Sequence, residues 1–383
     1  MRILVFAHDS SLYGASQSLF TLLKHLKQKD YQLLVLLPRG GELLTYLENE
    51  GIDYKVLYFP RAVIQIKKGY SLLNRIIDIA KFYKKKHFNR KLILKVCEEF
   101  KPHLIYTNTS VVTAGIETAV TLKIPHIWHV REFGWDDYKF KYLPSRNAVI
   151  SGLLMSEKVI FISKAVKDAW LHDDKGKAEI IYNGFDINDC GTSRSRPYAE
   201  IKIGILGAIV PGKGQGQAID AFEQFLKKFP NSFLYIYGDP IDQEYYQSLK
   251  IKALQISENI IFKSFEKDTD QIYQNLDIVL NCSLKEGFGR SIVEAMIKGI
   301  PVIANNNGGI TEIIEQDSNG LLFNSKTEDL TKQLTRIFEE PDLYERLSAN
   351  ALAQVTQRYS IEKYVESMDI IFKSSNHNNL NNG

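Results

Sequence analysis

Residues 280–304 read LNCSLKEGFGRSIVEAMIKGIPVIA. An apolar, β-rich run leads into a polar turn, a glycine-rich bend, an amphipathic run of helical period and a second β-rich run. That succession of strand, turn, helix and strand is the repeating unit of a parallel sheet. Glu286 falls in the turn, and Glu294, eight residues on, lies about two turns into the segment, at 3.6 residues per helical turn. Gly287 and Gly289, on either side of Phe288, let the backbone bend closely round a ligand. The N–H groups that open the helix at Arg290 face the same side. An anionic or polyhydroxylated ligand suits such a place. A solvated strand–helix connection with a carboxylate near the helix dipole would carry the same residues.

Outward from this stretch the alternation continues along the chain of 383 residues, a length that suits two domains. Strands are expected at 3–6, 32–36, 54–57, 104–106, 126–128, 159–162 and 179–181, then in a second series at 201–206, 233–237, 260–262, 278–280 and 301–304. Helical runs, such as 16–26 and 116–122, fall between them. The polar segment DINDCGTSRSRPYAE separates the two series. The expected organisation is an N-terminal doubly wound α/β domain over 1–186, a linker over 187–200 and a second such domain over 201–358. A C-terminal helix over 359–374 that packs back on the N-terminal domain and a disordered tail over 375–383 complete it. Doubly wound sheets bind ligands beyond the carboxyl ends of their strands, so the gap between the two domains is the expected site.

Composition excludes several classes. With 44% apolar and 24% charged residues the chain is neither disordered nor collagenous, and its three cysteines, Cys97, Cys190 and Cys282, have neither disulfide-framework nor zinc-site spacing. The longest unbroken apolar runs, Ile3 to Ala7 and Leu33 to Leu37, are far too short to span a bilayer. A reducing cytoplasm is the expected location. The net charge of +3 hides an asymmetry: residues 61–101 hold twelve basic side chains against three acidic ones. Apolar residues, among them Leu72, Leu73, Ile76 and Ile77, alternate with the lysines there. A basic amphipathic helix over 67–95 resting on an anionic membrane surface is one reading, and a core-packed helix with a solvated basic face is another. Nucleic acid is disfavoured, because no binding motif accompanies the charge.

Four more segments add chemistry. GAIVPGKG, at 207–214, nearly reproduces a phosphate-binding loop, but Gly214 stands where the magnesium-binding hydroxyl would be, which argues against a nucleotide hydrolase. HIWHVREFG places His129, Arg131 and Glu132 past the expected end of a strand, with His126 left as core. Gly14, Ala15 and Ser16 are small enough to let a diphosphate approach a helix start, and Gly308 and Gly309 offer a second such start. Asp268-Thr-Asp270 imitates a metal-binding DxD but precedes a helical run and reads as a cap. Asn108-Thr-Ser110 and Asn281-Cys-Ser283 are formal glycosylation sequons without meaning in a cytoplasmic protein.

The Glu-x7-Glu element followed by Ala-Met and Gly-x-Pro-Val-Ile resembles the signature of the family 4 retaining glycosyltransferases. SLYGASQSL, WHVREFG, IIYNGFD, KGQGQAI and GGITEII follow the same family order through nearly the whole chain. The resemblance implies the GT-B fold, two Rossmann-like domains facing a central cleft, with no cofactor and no metal. It implies transfer of a sugar from a nucleotide-diphosphate donor to a saccharide or lipid-linked acceptor, in cell-surface polysaccharide assembly. Glu286 would contact donor-sugar hydroxyls, Glu294 the ribose, Lys213 the diphosphate and His129 the sugar near its anomeric carbon, with Gly14, Ala15, Gly287, Phe288, Gly289, Arg290, Gly308 and Gly309 lining the donor. Similar enzymes carry an arginine where this chain has Ala208, and Arg290 or Arg131 is the expected substitute. A nucleotide-sugar epimerase of the same architecture, or a non-catalytic sugar-nucleotide-binding protein, are the alternatives.

Overall fold

The computed structural model describes residues 1–65, 71–188, 190–197, 199–264 and 269–380. The chain divides into two compact units, Met1–Gly184 with Ile361–Gly383, and Phe185–Ser360.

Unit 1 holds strands β1 (Arg2–Phe6), β2 (Gln32–Leu37), β3 (Asp53–Val56), β4 (Val63–Gln65), β5 (Leu104–Asn108), β6 (His126–Val130), β7 (Phe140–Tyr142), β8 (Lys158–Phe161) and β9 (Ala178–Ile180). Seven of them form one parallel sheet in the order β3-β2-β1-β5-β6-β8-β9, while β4 and β7 pair antiparallel beside it. Both faces of the central strands are buried, as a parallel sheet covered on two sides requires. Ile3, Val5, Leu33 and Val35 serve one core, and Leu4, Phe6, Leu34 and Leu36 the other. The helix Ile361–Leu380 returns to the first of these, inserting Tyr364, Val365, Met368 and Phe372. It runs past the expected stop at 374, because each further residue of a nucleated helix adds a hydrogen bond and neither glycine nor proline interrupts the sequence before Gly383. The remainder of the expected tail, 381–383, lies outside the described residues.

Unit 2 holds β10 (Ile201–Leu206), β11 (Ser232–Tyr237), β12 (Ile260–Lys263), β13 (Ile278–Asn281), β14 (Val302–Asn305) and β15 (Leu321–Phe323), parallel in the order β12-β11-β10-β13-β14-β15. Counted from β10 this is 3-2-1-4-5-6, the doubly wound order. The expected linker 187–200 is packed onto this unit. Arg194 donates to the carbonyls of Lys298, Leu276 and Tyr273 at 3.1, 2.8 and 3.2 Å, and Arg196 donates to Phe338 O at 2.7 Å. Two arginines in a polar run are what converts a spacer into a strap, since each guanidinium satisfies several buried carbonyls at once.

The antiparallel pair β4–β7 and the edge strand β15 are absent from the sequence reading. Each has three residues, too few to display a period. The two crossings between the units are neighbours: Phe185 bridges Ser360, and Phe185 N donates to Tyr359 O at 2.8 Å.

Candidate functional site

In a doubly wound sheet, the strands on either side of the order reversal send their following loops apart, which leaves a crevice at their carboxyl ends. In unit 2 the reversal lies between β10 and β13. The loop after β10 ends in the short turn Pro211–Lys213, the loop after β13 carries Glu286, and Leu284 N donates to Gly212 O at 2.9 Å to tie them together. Gly214 has φ 70°, and a Cβ there would lie 2.2 Å from Cys282 O. Close packing of these two loops therefore demands glycine where a phosphate-binding loop would need a hydroxyl.

Lys213 Nζ lies 2.8 Å from Glu286 Oε2, with side chains 30% and 16% exposed. Ser283 Oγ donates to the same oxygen at 3.0 Å, and Asn281 also donates to this carboxylate. Burial pushes the Glu286 carboxyl up, but the Lys213 ammonium and these donors outweigh it and hold it below the ordinary carboxylate value. The backbone of the turn is equally fixed. Glu286 N donates to Asn307 Oδ1 at 3.0 Å, Gly309 N donates to Glu286 O at 2.9 Å, and the Asn305 and Asn307 side chains both donate to Ser283 O. The Gly309 N–H is therefore bonded within the turn, although the chain does enter a helix after it as the sequence suggested. The helix it precedes is only Ile310–Ile313, and a Cβ on Gly309 would lie 2.3 Å from Gly287 O. Gly308, at φ 52°, makes the bend that brings this contact about.

The helix Arg290–Ile297 starts from Gly289, whose φ of 104° lets the chain turn sharply into it. Glu294 Oε1 accepts from Arg290 Nη2 and Oε2 from the Tyr273 hydroxyl, both at 3.0 Å. The Arg290 guanidinium lies 4.8 Å over the Phe185 ring, which stacks on Phe288 at 6.2 Å. The two glutamates, Lys213, Arg290 and Phe288 thus all belong to unit 2 and flank one pair of loops and one helix start. Ala208 is exposed, and its carbonyl accepts from Gln215 Nε2. Of the DxD imitation, Asp268 lies outside the described residues, and Asp270 pairs with Lys298 at 3.1 Å.

Unit 1 repeats the geometry at its own reversal, between β1 and β5. The loop after β1 reaches the helix Gly14–Lys27, and Asn108, the last residue of β5, donates to Ala15 O at 3.1 Å. Gly14 has φ 44° and open space where a Cβ would stand, and the buried Ser16 Oγ has no partner among the described residues.

His129 lies inside β6, which extends to Val130, and not past its end as the sequence suggested; the parallel partner Asn108 on β5 prolongs the ladder. Its Nδ1 is 2.8 Å from the Tyr106 hydroxyl and 3.3 Å from Arg131 Nη2. A guanidinium can only donate, so Nδ1 accepts and the ring proton sits on Nε2. Burial, then the Arg131 charge, lower the imidazole well below its ordinary pKa, so it is neutral. Nε2–H has no partner among the described residues. What His129 can offer a ligand is therefore a neutral donor.

Arg131 donates to Asn108 Oδ1 and Asn183 Oδ1 at 2.6 Å each and to the Tyr364 hydroxyl at 3.1 Å. It holds β5, β6, the end of the first segment and the C-terminal helix together within unit 1, and so positions His129. Glu132 is buried and accepts from Ser110 N and Oγ at 2.7 and 2.6 Å, while burial raises its carboxyl to about 7. Removal of Arg131 strands three polar partners, so Arg131→Ala should cost roughly 2–4 kcal/mol, read as a lower melting temperature, with lysine restoring little.

Sequence reasoning missed Tyr106, Asn108, Asn183 and Tyr364 in unit 1, and Tyr273, Asn281, Ser283 and Asn307 in unit 2. Asn183 and Phe185 lie in IIYNGFD, and Asn281 and Ser283 in the stretch that decides the fold.

Two doubly wound parallel sheets in succession, each with a prepared crevice, define a protein of the GT-B class. The sequence model for glycosyl transferases group 1 matches 194–354, and that for glycosyltransferase family 4 matches 13–189. The alpha-monoglucosyldiacylglycerol synthase of Acholeplasma laidlawii is 27% identical, with 97% of this chain and 96% of its own length aligned. HepE of Anabaena, solved in complex with UDP and glucose, superposes with TM-score 0.80 at 24% identity over 98% of this chain and 100% of its own. TarM superposes with TM-score 0.74 at 16% identity over 97% and 98%. The chain belongs to family 4 of the glycosyltransferases and is an enzyme of the glycosyl-transferring class.

Proposed function

We propose that the protein is a retaining transferase that moves a sugar from a nucleoside-diphosphate donor to a saccharide or lipid-linked acceptor in cell-surface polysaccharide or glycolipid assembly. The observation that carries this reading is the Lys213–Glu286 pair at the reversal of the second sheet, beside a helix start bearing Arg290 and Glu294. Lys213 is the cation for the diphosphate, Glu286 accepts from sugar hydroxyls and Glu294 from the ribose, since a carboxylate has lone pairs enough for vicinal hydroxyls as well as its present donors. Arg290 adds positive charge that Ala208 does not supply. His129 donates from Nε2 to a sugar oxygen. As the bond between the anomeric carbon and the phosphate oxygen breaks, the acceptor oxygen bonds to that carbon on the same face. Its proton passes to the departing phosphate, so no protein base and no metal is required. The ligands in the solved HepE complex, UDP and glucose, support a UDP-hexose as the first donor to try.

A thermal-shift panel of nucleotide sugars tests the reading, because a ligand at 100 times its Kd stabilises by about 2.7 kcal/mol. One nucleotide sugar is expected to raise the melting temperature above its free nucleotide. Incubation of that donor without acceptor should then leave it intact or slowly hydrolysed; isomerised donor would make the protein an epimerase.

We further infer an anionic membrane surface as the setting. Among the described residues no helix is long and apolar enough to cross a membrane. The helix Leu72–Phe100, however, leaves Leu72, Leu73 and Ile76 more than half exposed, and residues at i, i+1, i+4 and i+5 share one helical face. Arg75, Lys81, Lys84 and Lys85 follow on the same helix, and each near-surface cation adds about 1 kcal/mol. Residues 67–70 of the expected membrane segment lie outside the described residues. Vesicles rich in anionic lipid should sediment the protein at low salt and release it at high salt, and Leu72→Asp with Ile76→Asp should abolish sedimentation.

A further inference from the structure

The piece of chain that opens unit 2 holds the helix Arg290–Ile297 at both ends. At the far end, Gly191 N donates to Ile297 O at 2.9 Å and Arg194 Nε to Lys298 O at 3.1 Å, and a Cβ on Gly299 would lie 2.1 Å from Thr192 O. At the near end, the Arg290 guanidinium lies over the Phe185 ring, 4.8 Å from its centroid. Phe185 is itself fixed. It is 6% exposed, and its N donates to Tyr359 O at 2.8 Å. Its ring stacks within 19° of parallel on Phe288, which meets the Tyr359 ring edge-on at 5.7 Å. All of these residues belong to unit 2.

The ring does more than fill space. A guanidinium is planar, with its N–H donors in one rigid fork, and it rests on an aromatic ring because the negative face attracts the cation. Arg290 Nη2 gives one donor to Glu294 at 3.0 Å. That bond alone leaves the plane of the fork free to turn about it, and the ring alone leaves the fork free to spin within its plane. Together they decide the direction of the fork before a ligand arrives, which lowers the cost of ordering the side chain on binding.

We propose that Phe185 is a positioning residue that aims the Arg290 guanidinium at the donor diphosphate. A phosphate suits that fork, since it accepts two parallel N–H bonds as a carboxylate does. Leucine at 185 would occupy similar space against Phe288 and leave the fork unaimed. The inference rests on the donor reading, and it adds that an uncharged ring governs affinity for the donor's phosphates.

The test titrates the full chain calorimetrically with UDP, GDP and ADP, while saturation-transfer NMR reads the matching nucleosides. Phe185→Leu should weaken the diphosphate that the parent binds by about three- to tenfold, the cost of ordering one long side chain, and change its nucleoside by less than about twofold. A fluorinated phenylalanine at 185 keeps the shape while draining negative charge from the ring face, so it should reproduce the loss at an unchanged melting temperature. Phe185→Tyr, which keeps the face, should retain affinity. In an Arg290→Met background, Phe185→Leu should cost nothing further, because the two residues act as one. The proposal is overturned if either the leucine or the fluorinated variant binds the diphosphate like the parent, if the nucleoside weakens as much as the diphosphate, or if the losses at 185 and 290 add. A parent that binds none of the three diphosphates removes the donor reading and this role with it. A parent that binds one, with variants at 185 that bind it equally, removes the role of Phe185 alone.

Discussion

Replacing Lys213 by alanine should slow transfer more than any other single change in the donor half, by about 10²–10³-fold in kcat with the acceptor KM little altered, the magnitude of removing one preorganised stabiliser of developing charge. The site gives this expectation a second, independent signature in pH. In the parent, burial raises the Glu286 carboxyl but Lys213, Ser283 and Asn281 lower it further, so the net pKa lies below the ordinary carboxylate value. Glu286 therefore stays ionised well into acid. Without Lys213 the largest lowering influence is gone while burial remains, so the pKa rises. The acidic limb of the kcat/KM profile should move to higher pH in Lys213→Ala and move back in Lys213→Arg. A rate loss without that displacement would mean that the lysine acts on the diphosphate alone and does not govern Glu286.

The second large effect is expected at Glu294. Its two oxygens receive Arg290 and Tyr273 at 3.0 Å each, in the interior of a short helix whose start Gly289 makes possible. A ribose hydroxyl bonded to this carboxylate would contribute about 1.5–3 kcal/mol, so Glu294→Ala should weaken nucleotide affinity roughly ten- to hundredfold in calorimetric titration. Loss of the carboxylate also leaves Arg290 without an ion-pair partner at Glu294. Glu294→Gln keeps one acceptor oxygen for Arg290 and an amide that can donate to the Tyr273 hydroxyl oxygen, and it should restore folding stability before it restores affinity. Unchanged affinity in Glu294→Ala would remove the ribose from the assignment.

Strand–helix alternation was legible because each long element declares its own period. The paired glutamates were legible because their spacing survives in linear sequence. What stayed hidden is contact between distant segments. Asn108-Thr-Ser110 and Asn281-Cys-Ser283 read as sequons, and both were set aside on that ground. In the folded chain they end β5 and β13, the strands just past the order reversal in each unit. Asn108 there ties Ala15 to Arg131, and Asn281 with Ser283 holds the Glu286 carboxylate. A three-residue pattern cannot reveal that it closes a crevice, since Ala15 lies 93 residues from Asn108, and Lys213, which shares the Glu286 carboxylate with Ser283, lies 73 residues from that glutamate. The bond from Gly309 N–H stayed hidden for the same reason, because the carbonyl that takes it lies twenty-three positions earlier.

The helix Ile361–Leu380 belongs by packing to the unit that begins at Met1. During synthesis from the amino end, one apolar face of the first sheet, covered in part by Leu19, Leu22, Leu43 and Leu47, must therefore wait for its last cover until this helix has been made. Tyr106 would meanwhile lack Phe372, and Arg131 would lack the Tyr364 hydroxyl. Premature termination near Ser360 would release a polypeptide whose second half can close on itself but whose first half remains adhesive, a substrate for chaperones and proteases before it is ever a catalyst.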